Sequence, residues 1–407
     1  MIKYIPYLDW LESQYEIMYQ SMFEVCDINS GSYNIEGIGK VQKYLEKFAA
    51  PLNGEHIEIQ QKPMQIVNSR GRIERIKLSN TLIIKKRPEA PIQILLGGHM
   101  DTVFPVDSSF QKTEHLENNV VRGPGVADLK GGLILMFKAL EVLERSPWAN
   151  AIGWEVVLNP DEEIGSPGSA EILEACAKRN DFGMIYEPAF PDGNLASDRK
   201  GSGNFTVVSR GKAVHAGREF QNGRNAIRAI ADFIQIIDDL NGQMQDVTIN
   251  PGYIQGGGAV NIVPDLAIHK FNVRIARPED ELWVLDRLKS AVEAINKRDG
   301  ITLELHGTFN RKPKIITEAN KFLFDIVTDC GTDLGMNLSF RETGGCCDGN
   351  NLASAGLPNI DNIGVRGDNI HSEEEFMYPE SLVERAKLSA LILMKIAYGE
   401  IKWKSLR

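Results

Sequence analysis

The chain has 407 residues, of which 43% are hydrophobic and 25% charged, and this composition excludes a small peptide scaffold, a disordered chain and a fibrous protein. Its 45 Lys and Arg against 55 Asp and Glu leave a net charge of −10, which argues against nucleic acid or an anionic membrane surface as a partner. An enzyme that acts on small molecules fits this composition better.

The five cysteines and the N-terminus indicate the compartment. An odd number of cysteines without a C-x-x-C pair predicts neither a disulfide framework nor a thiolate zinc site, so reduced thiols and a cytoplasmic location are expected. Asp9, Glu12 and Glu16 interrupt the segment where a signal peptide needs an apolar stretch. The apolar segment 388–397 is about half the length that a bilayer span needs and contains Lys395, so no membrane association is expected.

Residues 91–187 alternate between short apolar runs and segments with helical spacing, which predicts βα units and a mainly parallel sheet. We expect strands at 92–96, 154–158 and 184–186, and helices at 130–143 and 170–178. In such sheets the reactive groups gather just past the carboxyl ends of the strands.

A second unit is predicted between residues 198 and 311. Its pattern reads strand, helix, strand, strand, helix, strand, with strands at 204–210, 247–255, 262–275 and 301–308, and helices at 224–240 and 279–297. This is a compact, ferredoxin-like α/β sandwich. The predicted fold class is therefore α/β, with a mainly parallel-sheet domain at 1–197 and 312–407 and the sandwich inserted at 198–311.

Acidic and histidine side chains recur at the predicted strand ends. They are His99 and Asp101 in GGHMD, Asp128 in GVADLKGG, Glu162 and Glu163 in NPDEEIG, Glu187 in YEPA, and His371 in NIHSEEE. Each motif alone is weak, because a single pair of this kind is more often a hydrogen-bonded or solvated surface group. Together they form the oxygen and nitrogen ligand mix that suits zinc, with manganese or cobalt as alternatives.

Charge counting favours two metal ions over one. Ionised Asp128, Glu163 and Glu187 together with a hydroxide balance two divalent cations in a dry site. A bridging Asp128 would hold the ions roughly 3.5–4 Å apart, as in two-metal hydrolases. Asp101, two residues after His99, can accept the other imidazole N–H and fix its tautomer.

The motifs GGHMDTVFP, GVADLKGG, NPDEEIGSPGS, YEPA and GKAVHAG and the late histidine resemble the co-catalytic zinc peptidase family of glutamate carboxypeptidase, aminoacylase, acetylornithine deacetylase and succinyl-diaminopimelate desuccinylase. The resemblance implies a zinc-peptidase catalytic domain with two Zn²⁺ per subunit. It implies that Asp128 bridges the two ions. His99 and Glu187 would bind one zinc, and Glu163 and His371 the other. Glu162 would be the general base.

The resemblance also assigns roles to residues of the inserted domain, which would be a dimerisation domain. It implies that His215 of GKAVHAG reaches the partner's site in a homodimer, although a loop histidine that caps a helix is the alternative. Arg274 and Asn261 would bind the free carboxylate of the substrate, a role suited to a planar guanidinium, with a structural salt bridge as the alternative for Arg274. Lys200 resembles another substrate-side position.

The glycine turn at Gly344 and Gly345 matches a segment that lines the substrate pocket in relatives. Here Cys346 and Cys347 follow, and buried loop thiols are a better interpretation of this pair than a metal or redox site. Gly123 and Gly125 do not complete a G-x-G-x-x-G fingerprint, so no nucleotide site is predicted.

These observations predict a di-zinc hydrolase of the carboxypeptidase type, which cleaves a peptide or N-acyl amide bond next to a free α-carboxylate by metal-activated water and a glutamate base. The substrate would be a small peptide or an N-acyl amino acid. Glutamate at position 187 favours carboxypeptidases and deacylases over aminopeptidase-like relatives. A deacylase or dipeptidase of the same family is the alternative, and an inactive metal-dependent binding protein for amino-acid conjugates is the alternative from another class. A phosphohydrolase would need more Lys and Arg near the ligands.

Overall fold

The computed structural model describes residues 1–403. Its helices are α1 (Ile5–Glu12), α2 (Tyr15–Cys26), α3 (Ile35–Ala49), α4 (Lys130–Arg145), α5 (Ala170–Ala177), α6 (Ala226–Asp238), α7 (Asp280–Asn296), α8 (Glu318–Asp333), α9 (Asp348–Ser354) and α10 (Ser381–Tyr398). Its strands are β1 (Glu55–Ile59), β2 (Met64–Val67), β3 (Ile73–Ile76), β4 (Thr81–Lys86), β5 (Ile92–His99), β6 (Glu114–Leu116), β7 (Val120–Arg122), β8 (Ile152–Asn159), β9 (Phe182–Ile185), β10 (Leu195–Arg199), β11 (Gly201–Arg210), β12 (Thr248–Gly256), β13 (Leu266–Ile275), β14 (Thr302–Arg311), β15 (Phe340–Thr343), β16 (Asn359–Ile360), β17 (Gly367–Asp368) and β18 (Phe376–Met377).

The larger sheet has the strand order β1-β4-β8-β5-β9-β16. The pairs β8-β5, β5-β9 and β9-β16 are parallel, and β1-β4 and β4-β8 are antiparallel. This confirms the prediction of a mainly parallel sheet, with an antiparallel extension at one edge.

Both faces of this sheet are covered by helices. Leu96 of β5 packs in a cluster with residues of α4 and α10, such as Leu133 and Leu391. Leu95 faces the other way and packs with Leu173 of α5. Since successive strand residues point to opposite faces, the part of a strand that is covered on both sides has to be apolar, as Ile94, Leu95 and Leu96 are.

A second sheet of four antiparallel strands has the order β12-β13-β11-β14. Helices α6 and α7 pack on one of its faces, around Phe205, Phe233 and Val273. The predicted sequence of strands and helices is confirmed. The largest boundary changes are in three strands: β11 begins at Gly201 instead of 204, β13 begins at Leu266 instead of 262, and β14 continues to Arg311 instead of 308. The opposite face of the sheet points toward the strand ends of the larger sheet.

The chain enters and leaves this second unit through two adjacent segments. Arg199 and Lys314 form an antiparallel backbone bridge. The Asp361 Oδ2 atom lies 3.0 Å from Arg199 Nε and 2.9 Å from Lys314 Nζ. All three side chains are buried, so a charge-assisted hydrogen-bond cluster ties both segments to the larger sheet.

No helix within residues 1–403 combines the length and apolarity that crossing a membrane requires.

Candidate active site and metal centre

The strand order brings the predicted site residues to one edge of the larger sheet. Because β8, β5 and β9 are parallel neighbours, their carboxyl ends meet at the same edge. His99 is the last residue of β5, Glu162 and Glu163 begin a short 3₁₀ turn after β8, and Glu187 follows β9.

Asp128 lies in the loop that precedes α4, and the buried carboxylate of Glu375 is hydrogen-bonded to the backbone of this loop. The Glu375 side chain accepts hydrogen bonds from the backbone N–H groups of Gly125, Ala127 and Asp128, at 3.1, 2.9 and 3.0 Å. Three donors on one carboxylate fix the loop backbone and therefore the position of the Asp128 side chain.

His371 reaches the same place from the turn between β17 and β18. Its φ of 65° lies in the left-handed region, which a residue with a side chain adopts only when the surrounding structure demands it. The side chain is half exposed at 54%, whereas the carboxylates that it faces are buried.

The two oxygens of Asp128 face two different histidines. Oδ1 lies 3.2 Å from His99 Nε2, and Oδ2 lies 3.4 Å from His371 Nε2. Glu187 Oε1 lies 4.0 Å from His99 Nε2, and Glu163 Oε2 lies 3.1 Å from His371 Nε2. Two sets of candidate metal ligands therefore lie side by side. Each set contains one His and one Glu, and the two sets share Asp128.

The carboxylates of this cluster are buried close to one another, and this shifts their pKa values. Burial and the neighbouring Asp128 raise the pKa of Glu163 to about 8 and that of Glu187 well above its ordinary value. Burial alone would raise the pKa of Asp128 as well, but hydrogen bonds from His371 and His99 lower it.

The same carboxylates raise the pKa values of the two histidines. Hydrogen bonds to Asp128 and Glu163 raise the pKa of His371 to about 11. Burial opposes the protonation of His99, yet Asp101 and Asp128 raise its pKa well above the ordinary value. Cation binding at these side chains would therefore release protons from them.

The residues present fit divalent cations. Ligand atoms of His99, Asp128 and Glu163 lie within 4.8 Å of one another. Glu187 Oε1 is buried and has no hydrogen-bond partner among the described residues. A buried carboxylate oxygen without a partner is costly, and coordination to a cation removes that cost.

Asp101 supports the cluster through more contacts than the sequence suggests. His99 Nδ1 lies 2.9 Å from the Asp101 backbone carbonyl oxygen and 3.4 Å from its carboxylate, so the backbone is the nearer acceptor. The Asp101 carboxylate accepts the backbone N–H groups of Glu162 and Glu163, both at 3.2 Å, and the hydroxyl of Ser32 at 2.7 Å. Asp101 therefore holds the turn that carries both glutamates.

Glu162 is paired with Arg311. Its Oε1 atom lies 2.7 Å from Arg311 Nη2, and both side chains are buried. Burial raises the pKa of Glu162 to about 7, although Arg311 and His99 partly offset this effect. A carboxylate whose pKa lies near neutrality suits proton transfer in both directions.

The cluster opens into a pocket of about 330 Å³. Its lining includes Arg274, Gly345 and Cys346 in addition to Asp128, Glu162, Glu163, Glu187 and His371. Arg274 Nε donates to Asn272 Oδ1 at 2.9 Å and Nη1 lies 3.0 Å from Cys346 Sγ. Arg274 forms no ion pair with a carboxylate within residues 1–403, so its charge remains available to a ligand.

Three predicted substrate-side residues lie outside this pocket. Lys200 Nζ donates to the Asp246 carbonyl oxygen at 3.0 Å. His215 and Asn261 are exposed and adjacent, since the Ala216 N–H donates to the Asn261 carbonyl oxygen at 2.8 Å. Cys347 is buried, as predicted, and its Sγ accepts the Gly349 N–H, while Cys346 is only partly buried.

The sequence analysis missed three residues that support the site, namely Ser32, Arg311 and Glu375. For Glu375 the only sequence signal was its position four residues after His371, in a run of three glutamates. Ser32 and Arg311 carried none, since each meets its partner only through the tertiary fold.

The fold and the converging ligands define a metal-dependent hydrolase. The sequence model of Peptidase family M20/M25/M40 matches residues 95–395. The chain belongs to this family, and it is a metallopeptidase or amidohydrolase by that membership.

Individual relatives agree with this assignment. The chain is 25% identical over 384 residues to carboxypeptidase G2 from Pseudomonas sp. (strain RS-16), which covers 94% of this chain and 89% of that protein. It is 25% identical over 327 residues to succinyl-diaminopimelate desuccinylase from Nitrosococcus oceani, covering 76% and 85%. Among solved structures, the Bacillus subtilis YXEP protein, described as a dinuclear metal binding peptidase, has a TM-score of 0.63 at 16% identity and covers 95% and 99% of the two chains.

Proposed function

We propose that this protein is a di-zinc hydrolase of the carboxypeptidase type, which cleaves a peptide or N-acyl amide bond next to a free α-carboxylate. The observation that carries the proposal is the placement of Asp128, whose two oxygens face His99 and His371 at 3.2 and 3.4 Å. One ion would be held by His99, Asp128 and Glu187, and the other by His371, Asp128 and Glu163. Bound there, the two ions would lower the pKa of a water molecule and polarise the substrate carbonyl.

Glu162 is the proposed general base. Its carboxylate takes a proton from the attacking water and later donates that proton to the leaving amine nitrogen. Arg311 holds Glu162 Oε1 at 2.7 Å, and Asp101 holds the Glu162 backbone N–H at 3.2 Å. These two contacts fix the base beside the metal ligands without making it one of them.

Arg274 is the proposed partner of the substrate carboxylate, and Gly345 lines the same part of the pocket. The planar guanidinium can bind a carboxylate through two parallel N–H donors. A substrate held there by its carboxylate would present its amide bond to Glu162 and Asp128, which line the same pocket.

A homodimer with composite sites is part of the proposal. His215, Asn261 and Lys200 lie outside the pocket of their own chain, so the first two would act across the interface. Strand β12 is an edge strand, and the exposed side chains near it include Tyr253 at 47%, Ile254 at 54% and Val260 at 101%. An unpaired strand edge with exposed apolar side chains is suited to pairing with a second copy. We assign this role to residues 198–311, and the catalytic role to 1–197 and 312–407.

The relatives support an amide substrate without choosing the acyl group. One bears the name of a carboxypeptidase and another that of a desuccinylase. An N-acyl-amino-acid deacylase or a dipeptidase therefore remains the alternative within the family. The ligand set suits zinc, with manganese or cobalt as substitutes.

The test is amine release from glutamate-terminated peptides and N-acyl glutamates, measured with and without a chelator and with zinc added back. We expect hydrolysis that the chelator abolishes and zinc restores. Glu162→Gln should retain the metal and lose turnover by roughly 10²-fold to 10⁴-fold. Binding of these compounds without hydrolysis would contradict the proposal and favour the alternative of a metal-dependent binding protein.

A further inference from the structure

A second cavity adjoins the catalytic pocket. This distal cleft has a volume of about 820 Å³ and lies between the β2–β3 hairpin and the helix-free face of the four-stranded sheet. It shares Glu163, Asn204, Asn272 and Asn310 with the pocket that holds the metal ligands. The catalytic pocket and the distal cleft are therefore direct neighbours.

One wall of the distal cleft is a row of side-chain amides. The strand register pairs Asn250 with Asn272 and Asn272 with Asn204, which places three asparagines side by side across three strands. Asn272 is fixed, because it accepts from Arg274 Nε at 2.9 Å and donates to Asn204 Oδ1 at 2.8 Å. The exposed amide of Asn250 has no hydrogen bond to the described residues that line the cleft.

The row continues outward along β13 to Lys270. Residues 270, 272 and 274 point to the same face, and Lys270 lines the cleft near Tyr253. Four residue steps separate Arg274 from Lys270, a distance of about 13 Å along a strand. An extended peptide spans this distance with about four residues.

The opposite wall is apolar. It is formed by Tyr33, Met64, Ile66, Ile73 and Ile164. Tyr33 and Ile73 are each 58% exposed, which is a large apolar exposure for side chains inside a cleft. One wall therefore offers hydrogen bonds and the other offers apolar contact.

The outer part of the cleft is braced by a direct contact between the hairpin and the sheet. Arg210 Nη2 donates to the Gly71 carbonyl oxygen at 2.5 Å. Gly71 has a φ of +66°, and a Cβ there would lie 2.7 Å from Val208 Cγ1. The hairpin tip can approach the sheet this closely only because residue 71 is glycine.

We propose that the distal cleft binds the acyl side of the substrate, and that the preferred substrates are linear oligopeptides of three or more residues. This inference rests on the proposed function, because it uses the carboxylate site at Arg274 to set the direction of the chain. Side-chain amides match the donor and acceptor of a peptide group. Asn272 is occupied by Ser202, Gly203, Asn204 and Arg274, so the flanking amides of Asn204 and Asn250 bind the peptide backbone while the substrate side chains pack on the hairpin. An acetyl or succinyl group is too short to extend from the catalytic pocket to Lys270 at the outer end of the row.

The test is a length series with a constant C-terminal glutamate: the N-acetyl amino acid, then the dipeptide, tripeptide and tetrapeptide. We expect kcat/KM to rise by roughly tenfold or more from the acetyl compound to the tetrapeptide, mainly through KM. Asn250→Ala combined with Ile73→Ser should remove most of this rise. Thr302→Ala, on the same sheet but outside the cleft, should retain it.

The outcomes separate this inference from the proposed function. Hydrolysis of the whole series at equal kcat/KM, or a length dependence that the double variant retains, would overturn the inference and leave the proposed function standing. A dodecanoyl amino acid that outperforms the tetrapeptide would overturn the peptide class. If no compound is hydrolysed, the proposed function fails, and calorimetric binding of the same series to the metal-loaded Glu162→Gln protein decides the inference: tighter binding with length supports it, and equal or absent binding contradicts it.

Discussion

The Glu162 carboxylate and the Arg311 guanidinium form a buried ion pair with a separation of 2.7 Å. Arg311 is the last residue of β14 in the second sheet, whereas Glu162 follows β8 in the larger one. Arg311 Nη2 also donates to the Glu162 carbonyl oxygen at 2.8 Å and to Ser166 Oγ at 2.9 Å. The proposed base is thus oriented by a residue from the other sheet.

Removing the arginine should impair turnover more than metal binding. We expect Arg311→Met to lower kcat by roughly 10²-fold, because Glu162 loses the contact that orients it, while the metal ligands keep theirs. Ser166→Ala, which removes a different partner of Arg311, serves as the control and should lower kcat by much less. The measurements are kcat and metal content on the same protein samples. Loss of metal together with activity would show that Arg311 holds the metal site instead of the base.

Glu375 should affect metal binding although it touches no metal ligand side chain. Glu375→Ala leaves three buried backbone N–H groups around Asp128 without their acceptor. We expect metal affinity to fall by roughly tenfold to a hundredfold, as for other residues that orient a ligand. Glu374→Ala is the matched control, because that neighbouring side chain is 70% exposed. Equal affinities in the two variants, measured by competition with a chelating dye, would contradict this role.

Arg274 should determine whether a free carboxylate is needed. Arg274→Lys keeps the charge but loses the planar pair of donors, so we expect KM for a glutamate-terminated substrate to rise roughly tenfold to a hundredfold. The corresponding substrate amide should be cleaved by both proteins at similar, lower efficiency. Arg287→Ala, on α7 across the sheet, is the control variant. A parent enzyme that cleaves acid and amide equally well would exclude this role for Arg274.

His269 should make stability depend on pH. It is 1% exposed, its Nδ1 lies 2.9 Å from the Tyr253 carbonyl oxygen, and it stacks on Phe271. Its buried Nε2 has no hydrogen-bond partner among the described residues. Burial therefore lowers the pKa of His269 below its ordinary value of 6.5.

Proton linkage determines whether the free energy of unfolding rises or falls with pH. Below pH 6.5 the unfolded chain binds a proton at His269 that the folded chain does not, so the free energy of unfolding falls as the pH drops toward the folded-state pKa and levels off below it. His269→Gln should weaken the loss of stability between about pH 7.5 and about pH 5. Urea unfolding of both proteins across this range is the measurement, and identical pH dependences would contradict the assignment.

The parts of the fold that follow from local patterns were predictable. The buried run at 92–96 predicted β5, and the spacing of apolar residues predicted α4, α6 and α7. No prediction was possible for the β2–β3 hairpin, because its strands are four residues each and lack a consistent buried face. This hairpin forms one wall of the distal cleft, so the cleft could not be predicted from the sequence either.

The residues of the candidate site also include some that were predictable from the sequence and some that were not. Residues at the ends of parallel strands, such as His99 and Glu187, could be grouped because sheet topology forces them together. The partnership of Glu162 and Arg311 joins residues 149 positions apart, and that of Glu375 and Asp128 spans 247. No periodicity links positions so distant, and a charged residue at a strand end has many possible partners.

The central claim, that Asp128 bridges two metal ions, is tested most directly by titrating metal-free protein with Zn²⁺ in a calorimeter and by elemental analysis of the product. We expect two ions per chain for the parent and a lower stoichiometry for both His99→Ala and His371→Ala, because each variant loses one ligand on one side of Asp128. One ion per chain in a fully active enzyme, or fully active protein without metal, would contradict it.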